Sequence, residues 1–253
     1  MSEYAKRPLF RAPTTKLFEN DHEYQCFRHF SNETAIQLTG SFETDLWSRL
    51  VLQSSEFEPC IRHAVTAVGA LNLQSPVLYD ELESTRRKFA YLEYGKAIAL
   101  LRKSINDGLA NLRTKLIASL LFACFESYHG NNDLVASHVF SAIQMLYDYS
   151  KPRSKPISRL IGPPIEEDII LTLGVLEISC ASYYDPRHPE VHLAHIHSSE
   201  SMVSSMPEVF RTLKEARSYV GVVMLRAIHY VLLKRATRSK RKTKAVPALF
   251  DST

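Results

Sequence analysis

The chain has 253 residues, 45% of them hydrophobic and 23% charged, which is typical of a globular protein with a substantial core. With 8 glycines it has few of the turns that an all-β fold or a nucleotide-binding α/β sheet requires. No apolar run approaches the ~20 residues of a membrane span, and no signal-peptide core follows Met1, so we expect neither membrane association nor secretion.

The positive charge is concentrated near the end of the chain. Residues 234–244 contain seven basic and no acidic side chains, and without them the formal net charge of +4 becomes −3. The remainder is mildly acidic, which disfavours a DNA-binding surface there. Three interpretations of the basic run stay open: a nuclear import signal, nonspecific phosphate contact, or a solvated tail. The import candidates are Arg238, Lys240, Arg241, Lys242 and Lys244.

Helical periodicity follows a polar leader, residues 1–20, that we expect to be poorly ordered. It begins near Asp21, and Trp47 falls in an apolar stripe where it should anchor the core. Another helix opens at Pro59, a residue suited to the first helical position. Small residues around Gly69 in this helix predict a close approach to a neighbouring helix.

The stretch 113–149 predicts an antiparallel pair of helices, an αα-hairpin. Gly130 suits the left-handed position that ends the first helix, and Asp133 can cap the second. Steps of three and four place seven apolar side chains on one face: Leu116, Ile117, Leu120, Leu121, Cys124, Phe125 and Tyr128. Such a hairpin needs a larger stack around it. With no strand pattern and no fixed repeat, we predict an all-α fold, an irregular multi-helix bundle of stacked αα-hairpins.

The second half of the chain continues with a proline-rich loop, residues 150–164. A helix from Ile165 follows, and residues 185–207 are expected to be irregular. A last helix is predicted from about Glu208 to Leu233, which gives a helical domain over 21–233 and a basic, disordered tail over 234–253. The predicted stripe of the last helix is Phe210, Leu213, Val220, Val223, Met224, Ala227 and Val231.

Four histidines in the irregular stretch, His188, His192, His195 and His197, raise the question of a metal site. We interpret them as exposed loop histidines, with a metal site that includes Asp185 as the alternative. The acidic run Glu166–Asp168 is interpreted as favourable charge at a helix start. No phosphate loop, nucleophile elbow or metal-binding cysteine spacing occurs in the sequence. We therefore expect no catalytic residue, no cofactor, no metal ion and no enzyme activity.

The remaining candidates have structural interpretations. The four cysteines, Cys26, Cys60, Cys124 and Cys180, lie far apart in sequence and are expected to be buried, reduced thiols. Arg62 and His63 are expected on a solvated helix face. Glu126, beside an apolar stripe, should form a hydrogen bond between helices. Glu215 and Arg217 should anchor the last helix.

Several segments, in order and spacing, resemble the fungal-specific regulatory (middle homology) domain of zinc binuclear cluster transcription factors. They are Asp45–Ser55, Glu58–Leu71, Tyr94–Ile98, Leu121–Glu126, His129–Asn131, His138, Glu208–Phe210 and Glu215–Tyr219. The resemblance implies an all-helical, non-catalytic domain in the nucleus that regulates transcription, often of specialised metabolism.

The DNA reader of that family needs six cysteines within about 30 residues, a pattern that this sequence does not contain. The resemblance is therefore to a shortened member, and we expect no direct, specific DNA binding by this chain. Its expected partners are other transcription regulators or the transcription machinery, with homo- or heterodimers left open. The alternatives are a non-catalytic helical adaptor, a truncated product with no transcriptional role, and a metal hydrolase that uses the histidine stretch.

Overall fold

The structure, a computed structural model, describes residues 17–39, 45–73, 80–150 and 165–244. Within these ranges every regular element is helical, which confirms the all-α prediction. The chain divides into two compact units, Met1–Tyr128 (unit 1) and His129–Thr253 (unit 2). Most of the predicted leader (1–16), the proline-rich loop (151–164) and the end of the tail (245–253) lie outside the described residues.

Three helices of unit 1 begin within one residue of their predicted starts, at Asp21, Pro59 and Leu112. The α-helices among its described residues are α1 (Asp21–His29), α2 (Ala35–Thr39), α3 (Val51–Phe57), α4 (Pro59–Asn72), α5 (Asp80–Asn106) and α6 (Leu112–Tyr128). Two π-helical segments, Phe30–Thr34 and Leu46–Leu50, precede α2 and α3. Asn20 caps α1 by accepting a hydrogen bond from the Glu23 amide at 2.9 Å.

Unit 1 contains two antiparallel helix pairs that share α5. In the first pair, His63 of α4 contacts Glu93 of α5, and Leu73 just beyond α4 contacts Arg86. In the second pair, the Tyr94 hydroxyl of α5 donates a hydrogen bond to Glu126 of α6 at 2.8 Å. Stacked αα-hairpins and the interhelical role of Glu126 are thus confirmed.

The core of unit 1 is built around α4 and α6, which pack against each other. Trp47 is 4% exposed, as expected of a core anchor. Gly69 lets α4 approach α1 closely, because a methyl group at this position would overlap the carbonyl oxygen of Cys26. The fully buried side chains of α6 include Leu116, Ile117, Leu120 and Leu121. Tyr128, predicted to belong to the same stripe, is 43% exposed, and that prediction is wrong.

Unit 2 contains five α-helices among its described residues: α7 (Asn132–Ser150), α8 (Glu167–Tyr183), α9 (Pro189–Ser198), α10 (Glu200–Ser204) and α11 (Leu213–Lys244). α8 and α11 run parallel, since Glu167 contacts Ser218 near their starts and Glu177 contacts His229 further along. α9 packs against α11, where Arg226 donates a hydrogen bond to the Ile196 carbonyl at 2.9 Å.

The predicted helix–turn–helix over 113–149 is confirmed in its helices and its turn, in which Gly130 has φ +69°. α6 belongs to unit 1 and α7 to unit 2, so the pairing of these two helices stays a prediction.

Two predictions about the bounds of the helices in unit 2 are wrong. The stretch 185–207 contains helices α9 and α10, because Pro189 occupies the first helical position, where its missing N–H is not needed. The last helix starts at Leu213 and continues to Lys244, so it includes the whole basic run, residues 234–244, which was expected to be disordered. Lysine and arginine are good helix formers, and neither glycine nor proline interrupts this run before Pro247.

The stretch Glu215–Arg238 of α11 is, among the described residues, long and apolar enough to cross a membrane by length and composition alone. Its centre, however, contains Arg226 and His229, which contact the Ile196 carbonyl and the Glu177 carboxylate. The absence of membrane association stays a prediction.

Candidate functional site

Unit 1 buries a carboxylate–histidine cluster made by Glu23, His63 and Glu93. Glu23 and Glu93 are 3% and 1% exposed, and His63 Nδ1 lies 2.6 Å from Glu93 Oε2. The Lys96 ammonium contacts Glu93 Oε1 at 2.9 Å and Glu23 Oε1 at 3.3 Å. The backbone amide of Glu19 donates a hydrogen bond to the other Glu23 oxygen, Oε2, at 2.8 Å. Every carboxylate oxygen of this cluster therefore has a polar partner.

The electrostatics of unit 1 agree with this closed arrangement. Burial by itself would raise the pKa of Glu93, but hydrogen bonds from His63 and Lys96 outweigh burial and hold the pKa below its ordinary value. The carboxylates in turn raise the pKa of Lys96 against the effect of its own burial. The prediction that His63 lies on a solvated face is wrong, because α5 covers this side of α4.

Unit 2 buries a second cluster, in which Glu177 of α8, His195 of α9 and His229 of α11 bring their ligand atoms within 4.8 Å of one another. Glu177 is 2% exposed and His229 is fully buried. The two imidazole rings stack, with centroids 4.4 Å apart. His192, 3% exposed, approaches from α9, and its Nδ1 lies 3.0 Å from Nδ1 of His229. Three separate helices thus supply the cluster.

The charge of Glu177 is balanced from one side by Arg187, whose Nη1 lies 2.5 Å from Glu177 Oε1. The same guanidinium is held by Asp185 through bonds of 2.6–3.1 Å and lies over the Phe140 ring. His229 Nε2 lies 3.3 Å from the same Glu177 oxygen, but among the described residues it has no partner in hydrogen-bonding geometry. This cluster therefore contains a buried ring nitrogen whose hydrogen-bonding capacity is unused.

Burial also sets the protonation of this cluster. It lowers the pKa of His195 to about 4, with the neighbouring His229 and Arg187 acting in the same direction. His192 is likewise shifted below its ordinary pKa, chiefly by burial. Burial would raise the pKa of Glu177, but the His229 ring and Arg187 outweigh it and keep the carboxylate ionised.

The histidine prediction is corrected by this geometry. His192 is buried and His195 is half-buried, and both lie on a helix, whereas His188 and His197 are exposed. Asp185 binds Arg187 instead of acting with the histidines. Sequence reasoning missed Glu177 and His229. The signal for Glu177 was a single ionisable residue within an apolar stretch of a helix, and His229 lies, together with Arg226, in another such stretch.

The other residues singled out in the sequence are not members of either cluster. Cys26 and Cys60 are buried free thiols whose pKa burial raises to about 11, while Cys124 and Cys180 are half-buried. Arg62 donates to the Ser55 carbonyl at 2.9 Å. Glu215 accepts a hydrogen bond from the Arg211 amide at 2.7 Å and so closes the start of α11. Of the five import candidates, Arg238 is exposed, and the backbone of all five belongs to α11.

An apolar stripe lies exposed along α11. Its members, spaced by helical steps of three and four, are Val220, Val223, Met224, Ala227, Tyr230 and Val231. Val220 is 53% exposed and Met224 is 49% exposed. The sequence predicted most of this stripe as the inward face, which is wrong, because the face that carries Leu225 and His229 packs on α8 instead. We call these six residues the α11 stripe.

The geometry of both units can now be set beside known proteins. Residues 25–162 match the fungal specific transcription factor domain, which is more than half of the chain. The chain belongs to this family. The family match covers unit 1 from residue 25 onward and all of α7, so it includes His63, Glu93 and Lys96.

A curated relative of this fungal transcription factor domain is the transcription regulator lscL of Purpureocillium lilacinum, which is 24% identical over 160 residues. The alignment covers 60% of this chain and 36% of the relative, so the chain matches about a third of that protein's length. No solved structure matches the chain. The unit 2 cluster and the α11 stripe lie beyond the residues that match the family.

Proposed function

We propose that this protein regulates transcription in the fungal nucleus through protein contacts, without catalysis and without a zinc-cluster DNA reader in this chain. Membership of the fungal transcription factor domain family and the similarity to a curated transcription regulator support the regulatory role. By analogy with the family, the regulated genes are those of specialised metabolism.

The observation that carries the contact mechanism is the α11 stripe. It spans three turns of one helix, and all six of its side chains are apolar or aromatic and exposed. Contiguous exposed apolar surface of this kind marks sites of protein association. A helix with such a face pairs with an apolar face of another helix. The partner that we propose is a second transcription regulator of this family.

Val223→Asp tests this mechanism, because it places a charge in the middle of the α11 stripe while α8 still covers the opposite face. In the fungal cells that produce the protein, we expect the variant to lose association with the partner regulator and to shift the same transcripts as a gene deletion. Leu92→Asp, at a 67% exposed position of α5, is the matched control and should change neither. Unchanged association and unchanged transcripts in Val223→Asp would contradict the mechanism.

The basic end of α11 supports nuclear import as the route to the nucleus. Replacing Lys240, Arg241 and Lys242 together by alanine keeps good helix formers and removes three charges. We expect loss of nuclear accumulation of a fluorescently tagged protein, with thermal stability unchanged. If the triple variant still accumulates in the nucleus but its DNA affinity falls and loses salt dependence, phosphate contact is the role of this segment.

The second candidate is a helical adaptor outside transcription, favoured by the same exposed stripe, which does not specify the class of the partner. The Val223→Asp variant distinguishes the adaptor from the transcription regulator. An adaptor loses its partner in Val223→Asp without any change in transcripts, whereas a regulator changes both.

A further inference from the structure

The unit 2 cluster has the composition of a metal site. Two imidazoles and one carboxylate, from His195, His229 and Glu177, come from three helices and converge within 4.8 Å. Two imidazoles with one carboxylate are ligands that Zn²⁺ takes in sites that keep a fourth position for water. The family match ends before all three residues, so the cluster is not part of the matched domain.

An independent observation singles out the same place. His229 is fully buried, and within the described part of the chain its Nε2 has no hydrogen-bond partner, even though Glu177 Oε1 lies 3.3 Å away. A buried polar nitrogen without a partner is energetically unfavourable, and in a native structure it calls for an explanation. A cation between this nitrogen and the carboxylate would satisfy both atoms at once.

The surroundings of His229 fit a ligand role. Metal-bound imidazoles usually hydrogen-bond through the nitrogen that does not bind the metal, which fixes the ring. Here the Nδ1 of His229 lies 3.0 Å from Nδ1 of the buried His192, which leaves Nε2 on the side of Glu177. Arg187, which Asp185 holds in place, binds Glu177 Oε1 and so acts as an outer partner of the ligating carboxylate.

The distances indicate what binding would require. Bonds of about 2.0–2.2 Å to zinc place tetrahedral ligand atoms about 3.4 Å apart. The His229–Glu177 pair is already at 3.3 Å. The adjustment therefore falls on His195, which is half-buried and whose ring must turn out of its stack on His229 to point at the ion.

We propose that Glu177, His195 and His229 bind one divalent transition-metal ion of the Zn²⁺ class, and that His192 positions His229. The ion would join α8, α9 and α11 on the face of α11 opposite the α11 stripe. This inference stands independently of the proposed function, because metal binding is measured on the purified protein without reference to any partner or gene.

Equilibrium dialysis of the untagged full chain against Zn²⁺, with bound metal measured by mass spectrometry, tests the proposal. We expect one ion per chain for the wild type and at least tenfold weaker binding for His195→Ala. His197→Ala is the matched control, since His197 lies on the same helix but is exposed, and it should bind like the wild type. No binding at micromolar free Zn²⁺, or equal loss in both variants, would overturn the proposal.

The role of His192 has its own variants. His192→Phe removes the ring-to-ring hydrogen bond and should weaken Zn²⁺ binding about 10–100-fold. His192→Asn can still bond to His229 and should recover part of this loss. Circular dichroism checks that each variant is folded. Unchanged affinity in His192→Phe would remove His192 from the site, and a Co²⁺ spectrum of six-coordinate type in the wild type would contradict the proposed ligand set.

Discussion

Units 1 and 2 each bury a cluster of carboxylate and imidazole groups, and they differ in the source of the balancing positive charge. In unit 1, Lys96 reaches into the cluster from α5 and contacts Glu93 and Glu23 together. In unit 2, Arg187 lies at the edge of the cluster, where it binds Asp185 as well as Glu177.

The difference shows how carboxylate and imidazole groups can form either a closed structural network or a site for a cation. The primary ammonium of Lys96 is a compact point charge that fits between carboxylates, and it fills the position that a metal ion would need. The planar guanidinium of Arg187 binds two carboxylates, and His229 Nε2 has no hydrogen-bond partner among the residues that the structure describes. The first cluster is a closed structural network, and the second retains capacity for a cation.

Lys96→Met tests the role of the lysine in unit 1, and it has the largest expected effect on the free energy of unfolding. It leaves two buried carboxylates without their cation, which costs about 3–5 kcal/mol for fully buried pairs. Because the lysine side chain is 39% exposed, we expect about 3 kcal/mol less free energy of unfolding, measured by denaturant titration. Lys103→Met, on the exposed side of the same helix, should stay within about 0.5 kcal/mol of the wild type. Equal losses in both variants would show that Lys96 is a surface charge only.

The same Lys96→Met substitution also tests whether the lysine ammonium prevents metal binding by the cluster of unit 1. Without the ammonium, Glu23, His63 and Glu93 offer three ligands within 4.8 Å of one another. We expect the variant to bind a second zinc ion and to recover about 2.7 kcal/mol of stability at a metal concentration of 100 times Kd. Lys96→Arg keeps a positive charge and should bind one ion, like the wild type. A Lys96→Met protein that takes up no additional zinc would mean that the ammonium does not decide between the two clusters.

Glu93→Gln tests the charge of the closed network, at an expected cost of about 2 kcal/mol at pH 7. The folded pKa of Glu93 lies below its ordinary value of 4.5, so its contribution is complete above that pH and is lost as the pH falls through the folded pKa. The difference in unfolding free energy between wild type and variant should therefore shrink below pH 4.5. A difference that is constant from pH 7 to pH 3 would rule out an ionised Glu93.

Tyr94→Phe gives the smallest effect, about 1 kcal/mol, because it removes one hydroxyl donor to the buried Glu126 and leaves the aromatic stacking on Phe125 intact. Thermal unfolding of the full chain measures it. Tyr183→Phe, at a 93% exposed position of α8, is the control and should be neutral. A neutral Tyr94→Phe would show that the interhelical hydrogen bond adds nothing to unit 1.

Much of the fold could be predicted from the sequence because its signals are local. The start of α1 at Asp21, proline at the start of α4, the left-handed Gly130 and the buried stripe of α6 all depend on residues within a few turns. The close approach at Gly69 was also predictable, since only small residues permit it.

The buried face of α11 could not be predicted in the same way. This helix is apolar almost all round between Tyr219 and Leu233, so helical periodicity favours no single face. The contact of α8 with His229 decides which side is buried, and that contact joins residues 52 positions apart. The two clusters could not be predicted for the same reason. Glu93 and Glu177 become members of a cluster only because their helices pack against helices that are distant in the sequence.

Zinc-edge X-ray absorption on the full chain loaded with one equivalent of zinc tests the central difference between the two units most directly. An open cluster in unit 2 predicts two imidazole nitrogens and one carboxylate oxygen at about 2.0–2.2 Å, with the second imidazole lost in His195→Ala. A spectrum with one imidazole or none, or one that His195→Ala leaves unchanged, would contradict it.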